Sequence, residues 1–233
     1  MESLPPGVPN PLRPDGRITS SISFTTKAYQ QEALRLVLRE ANEAAQDMQL
    51  PEQLPITETN IAKAFISPFG FARVKKAIGN IATANFIYYV SQGNKLSYVE
   101  SAHQEADCRK YESQYMWPVV EMDTNQAFQL AQKWLKSAAM DVDGLNHDFQ
   151  VFIETEHSYV HPPAGKFVPV YYVYWAKQRQ GAGSAASVRL FAPTNALLQL
   201  RVEDPKYILR RPLTFTNLSE LLSQTNVLSG SHP

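Results

Sequence analysis

The chain has 233 residues, with 22 Lys+Arg balanced by 22 Asp+Glu, 44% apolar residues and only 19% charged ones. That is enough apolar chain for one large core or two small ones. It provides no basic footprint for nucleic acid and no run of 18 apolar residues to cross a membrane as a helix, and its apolar content with 11% aromatics argues against wholesale disorder.

The balance also holds locally: residues 1–117 carry 12 basic and 12 acidic side chains, and residues 118–233 carry 10 of each. Neither half has a charged arm for steering a partner. Five of the sixteen prolines fall at positions 5, 6, 9, 11 and 14. Such density excludes helix and sheet, so residues 1–24 read as an extended arm. The start Met1-Glu2-Ser3-Leu4 lacks the basic and apolar stretches of a secretory signal. The expectation is a cytoplasmic chain, or an extracytoplasmic or secreted one whose signal has been removed.

A first helix is predicted from about Lys27 to Met48, because Leu34, Val37, Leu38, Ala41, Ala45 and Met48 recur on one face. Arg35, Arg39, Glu40 and Glu43 are assigned to its solvent side. Residues 57–77 fit a strand or a helical turn. Ile81 to Val90 is β-branched and aromatic and reads as one strand, with Lys95 to Glu100 returning as its hairpin partner. Residues 101–118 read as a connector.

A second helix is predicted from about Asn125 to Met140, opened by a capping box between Asp123 and Gln126 and ended at Asp143-Gly144. Strands follow over Phe149–Thr155, Phe167–Lys177, Ser187–Phe191 and Ala196–Val202, then a short helix capped by Asn217. The halves share an order, and Met48-Gln49-Leu50 and Met140-Asp141-Val142 leave their helices alike. The fold expectation is α+β, with two tandem units that each pack an amphipathic helix on an antiparallel sheet. The units span residues 25–118 and 119–225, followed by a tail over 226–233.

Motifs for chemistry are sparse. Gly181-Ala182-Gly183-Ser184-Ala185-Ala186 has dinucleotide spacing, but a strand rather than a helix follows it, so it reads as a hairpin loop. His157 and His161 would lie about 13 Å apart along a strand, too far to share a metal unless the chain turned, as the following Pro162-Pro163 suggests; the other reading is an exposed polar strand end. Asp141-Val142-Asp143-Gly144 has Leu145 and Phe152 where a calcium loop needs oxygen ligands. Cys108, the single cysteine, reads as a surface thiol. Two basic clusters, Arg73/Lys75/Lys76 and Lys206/Arg210/Arg211, read as solvated faces. Asn217-Leu218-Ser219 is formally a glycosylation acceptor, which the helix cap explains equally well. No catalytic residue, metal ligand or cofactor site is assigned. Val168 to Trp175 concentrates aromatics, and Tyr172 and Tyr174 are its candidates for a protein contact surface.

Over residues 25–100 and 124–203 the element order and the Met-x-(Leu/Val) helix exit resemble PepSY-like domains and, more loosely, cystatin-like ones. PepSY domains are extracytoplasmic units that accompany protease propeptides. The resemblance implies a non-catalytic module that binds a protein or peptide. Two other functions are weighed beside it. One is a small-molecule binder or enzyme with a pocket between helix and sheet, marked by His147 and Glu154. The other is a structural subunit that pairs edge strands.

Overall fold

A computed structural model describes residues 21–66, 79–91, 95–103, 122–155, 170–179 and 183–211. Helix α1 (Ser21–Asp47) precedes four strands, β1 (Lys63–Ile66), β2 (Gly79–Ala82), β3 (Phe86–Ser91) and β4 (Lys95–Ser101). Helices α2 (Thr124–Ser137) and α3 (Val142–Asp148) precede four more, β5 (Gln150–Thr155), β6 (Val170–Ala176), β7 (Ala186–Phe191) and β8 (Ala196–Val202). A 3₁₀ turn over Pro205–Tyr207 follows. The protein is therefore mixed α+β. Among the described residues no helix is long and apolar enough to cross a membrane.

The eight strands of the described residues join one antiparallel sheet in the order β1-β2-β3-β4-β8-β7-β6-β5. Two four-stranded meanders meet where β4 pairs with β8, through Tyr98↔Arg201, Val99↔Leu200 and Glu100↔Gln199. Directly opposed residues share a face. One row therefore crosses the whole sheet: Ala64, Ile81, Tyr88, Val99, Leu200, Val188, Val173 and Ile153. The six inner members are fully buried. They join one core with Leu36, Val37 and Ala41 of α1 and Ala127, Ala131 and Leu135 of α2. Both long helices thus cover the same face, α1 over β1–β4 and α2 over β5–β8.

Local chemistry sets the boundaries. Asp123 caps α2 by accepting from the Gln126 N–H at 2.7 Å, and the Gln126 side chain accepts from the Asp123 N–H at 2.8 Å. Helix α1 begins at Ser21, so the last four residues of the anticipated arm are helical. The expected strand Ile81–Val90 is two strands, because Thr83 Oγ1 accepts from the Asn85 and Phe86 N–H groups at 3.1 and 2.9 Å and folds a tight turn. Asp143-Gly144 does not end a helix. Asp141 accepts from the Gly144 N–H at 2.9 Å and caps α3, which sequence reading missed. The helix exits match at a different spacing from the one anticipated. Gln49 (φ 52) and Ala139 (φ 58) hold the left-handed position, and Leu50 N→Ala45 O and Met140 N→Leu135 O each close at 2.9 Å. Met48-Gln49-Leu50 therefore corresponds to Ala138-Ala139-Met140.

After β8 the chain returns over the helical side as a strap. Tyr207 O accepts from the Asp141 N–H at 2.7 Å, and Leu209 N–H donates to Ala139 O at 2.8 Å. Lys95 Nζ donates to Pro205 O at 3.1 Å and Ile208 O at 2.6 Å. Arg210 then reaches Glu43 at 3.3 Å and Asp47 at 2.6 Å on α1. Glu40, assigned to solvent by the helical pattern, is 3% exposed beneath this strap.

A Cβ at Gly79 would lie 2.8 Å from the Phe65 carbonyl oxygen and 2.6 Å from Ile66 Cδ1. In urea denaturation Gly79→Ala is expected to lose about 1–3 kcal/mol as β1 is pushed from β2. Asp123→Ala is expected to lose about 1 kcal/mol, with Asp123→Asn close to wild type. A Gly79→Ala protein of unchanged stability would contradict the close β1–β2 approach.

Candidate functional site

The two rows flanking the core row point to the other side of the sheet. One runs Phe65, Asn80, Tyr89, Tyr98, Arg201, Ser187, Tyr174, Phe152; the other runs Lys63, Ala82, Ile87, Glu100, Gln199, Arg189, Tyr172, Glu154. No described helix lies on this face. It is rich in tyrosine, with carboxylates, amides and guanidinium groups between the rings.

Tyr172 and Tyr174 project from β6 onto this face. Alternation along the strand places Tyr171, Val173 and Trp175 on the helical side instead. Tyr174 stacks between two rings, with centroids 4.9 Å from Tyr172 and 5.3 Å from Phe152. Its hydroxyl donates to Glu154 Oε1 at 3.0 Å, and Arg179 Nε donates to the same oxygen at 3.0 Å. Tyr174 is only 5% exposed, whereas Tyr172 is half-buried. Tyr174 thus supports the surface and Tyr172 presents a ring from it. Next to them Val170, Phe191 and Leu198 form a small second apolar cluster.

A second aromatic group spans β3, β4 and the β4–β8 junction. Tyr89 and Tyr98 meet edge to face at 4.7 Å. The Tyr98 hydroxyl donates to Glu100 Oε2 at 2.7 Å and accepts from Gln199 Nε2 at 2.6 Å, so one phenol ties β4 to β8. Burial first, then the Glu100 carboxylate, push the Tyr98 phenol well above the usual tyrosine range. Tyr89 is raised for the same reasons. Sequence reading missed Tyr89, Tyr98, Glu100, Gln199 and Arg189. The alternation of β3 and β4 carried the signal, but not which face was wet.

The pocket markers do not converge. His147 ends α3 with its side chain 87% exposed and bonds the neighbouring Asp148 carboxylate at 2.9 Å. Glu154 is across the sheet from the helices. Tyr207, His147 and Lys206 all hydrogen-bond Asp148 and hold its carboxyl well below the usual range, which makes this cluster a pin for the strap. Gly183 (φ 98) leads into β7 rather than a helix, as a hairpin loop requires. Among the described residues no group of three or more His, Cys, Asp or Glu is placed to hold a metal. Cys108, His157, His161, Gly181, the Arg73/Lys75/Lys76 cluster, the Asn217 cap and the 226–233 tail lie outside the described residues. No family model, curated protein or solved structure matches the chain.

Tyr88, buried on the helical side and bonded to Glu52, is also raised well above the ordinary tyrosine range. For both phenols the folded value exceeds the unfolded one. Their contribution to stability is present below the unfolded value and is lost as pH rises toward the folded one. Stability is therefore expected to fall above about pH 10 in alkaline denaturation. Tyr98→Phe is expected to cost about 1 kcal/mol at neutral pH and to flatten that fall. An ultraviolet titration in which every tyrosine ionised together in the native state would contradict this.

Proposed function

We propose that this chain is a non-catalytic module of PepSY-like type that binds a protein or peptide. Two tandem units, each a helix laid on a four-stranded antiparallel meander, make up its scaffold. The observation that carries the reading is the sheet face opposite the helices. Its tyrosines, guanidinium groups and amides are the chemistry enriched at protein contacts, where an aromatic ring buries area at low entropy cost and its hydroxyl keeps a polar partner.

Comparison of the two meanders supports both parts of the reading. On the helical face corresponding positions stay apolar or aromatic: Ile81 with Val173, Tyr88 with Val188, Val99 with Leu200. On the open face they diverge: Asn80 with Tyr172, Ala82 with Tyr174, Tyr89 with Arg189, Tyr98 with Gln199, Glu100 with Arg201. The core restricts one side of each strand and leaves the other free. The open face is thus a single asymmetric surface rather than one site present twice, which suits one partner lying across the β4–β8 junction.

A photo-crosslinking amino acid at Tyr172 is expected to capture a defined partner in host cells, while the same group at Arg35, on the exposed side of α1, captures none. With the partner in hand, Tyr172→Ala should weaken binding about tenfold or more. Equal capture at both positions, or unchanged affinity in Tyr172→Ala, would remove the open face from the interaction.

A further inference from the structure

Beyond the binding reading, the helical side carries a buried acid, Glu40. Glu40, Glu43 and Asp47 lie at i, i+3 and i+7 on α1, so the three carboxyls form one stripe. The Arg210 guanidinium of the strap enters that stripe with 8% of its side chain exposed, and Arg39 Nε of α1 lies 4.0 Å from Glu43. The two terminal nitrogens of Arg210 are taken by Glu43 and Asp47. Glu40 is 3% exposed, and among the described residues neither its Oε2 nor the buried Nε of Arg210 has a hydrogen-bond partner.

We propose that Glu40 is a proton-controlled latch: the strap over 204–210 grips α1 while this carboxyl is neutral and loosens when it ionises.

The groups facing Glu40 define the balance. From its own helix come Glu43 and Arg39, from the strap Arg210, and from β4 the Leu96 backbone N–H, which hydrogen-bonds the carboxyl. Lys95, next to Leu96, already has its ammonium on Pro205 O and Ile208 O. An ionised Glu40 is therefore a third carboxylate around a guanidinium already shared by two, with an oxygen no described donor reaches. A buried charge in that position is relieved when water enters. Burial first and the Glu43 charge second raise the carboxyl above the ordinary range, against the pull of Arg210 and Arg39. The closed seam thus gains at pH below the ordinary glutamate value, and the gain is lost as pH rises through the raised one. Helix α1 is committed to the core along its length, whereas the strap enters it through Tyr207 and Ile208 and, among the described residues, is tied to α1 only by the ion pairs of Arg210, beyond the exposed Leu209, so this end of the strap is the element that yields.

The test is amide exchange at Leu209 and Asp141, whose N–H groups bond Ala139 and Tyr207 across the strap. Rates are compared at each pH with Glu40→Gln, which keeps the shape and removes the charge. The wild-type to variant ratio is expected near one at about pH 4 and to rise about tenfold or more by about pH 8. Arg210→Gln should expose both amides at every pH. A second readout needs no variant: the Glu40 side-chain carboxyl carbon, followed by NMR in the wild type, should titrate above the ordinary glutamate range with the midpoint seen in Leu209 exchange. A pH-independent ratio, or a Glu40 titration in the ordinary range with no matching change in exchange, would overturn the latch.

Discussion

Three residue pairs between β4 and β8 set the sidedness of the molecule. Val99 opposite Leu200 continues the core row from one meander into the other. Because side chains alternate with a period of two, a slip of one residue would bring Val99 level with Gln199 or Arg201 and turn an entire meander over. The two helices would then lie on opposite faces, and neither the shared core nor the continuous tyrosine face would exist. So short a junction needs reinforcement, and it has some on each side of the sheet. On the open face the Tyr98 hydroxyl is bonded to both Glu100 and Gln199. On the helical face Lys95, at the start of β4, donates to two carbonyls of the strap.

The strap completes what the junction begins. It leaves β8, bonds the α2 exit through Leu209 and the α3 cap through Tyr207, and ends with Arg210 on α1. Tyr207 and Ile208 are both 2% exposed, so its hold is apolar as well as polar. The left-handed residues Gln49 and Ala139 each turn the chain sharply at a helix end, and at the second turn the Ala139 carbonyl accepts from Leu209. A single short segment therefore contacts α1, β4 and the α2–α3 corner. A buried carboxyl at its foot can influence all three.

What the sequence revealed follows from the range of each interaction. Helix α2 was legible because its cap, Asp123 with Gln126, and its stripe of Ala127, Ala131 and Leu135 are local. Five of the strands were legible from β-branched and aromatic runs. The turn at Thr83 was hidden because a β-branched residue that suits a strand there uses its hydroxyl to bend the chain. Helix α3 was hidden because Gly144 reads as a stop, while the Asp141 side chain, three residues earlier, satisfies its N–H. Glu40 read as solvent-facing because the strap that buries it is about 170 residues away in the chain. Strand order and the β4–β8 junction are likewise long-range, so the open face could not be assembled from sequence. Tyr172 stood out only by its aromatic run. Tyr89 and Tyr98 lie in alternating strands whose wet side depends on the distant β8.

The two faces of the sheet answer to different physics. On the helical side every inner residue of the core row must be apolar or fully bonded, because a lost contact there leaves a cavity and a lost partner leaves a bare polar atom. Replacement is restricted, and the two meanders carry similar side chains at matching positions. On the open side a residue has only to tolerate its cross-strand neighbours, a weaker demand of a few tenths to about 1 kcal/mol per pair. Tyr98 with Gln199 and Glu100 satisfies that demand, as does Tyr174 with Phe152 and Glu154. A scaffold whose stability comes from one face is thus free to vary the other, which places the proposed binding surface opposite the helices and puts the proposed latch among them.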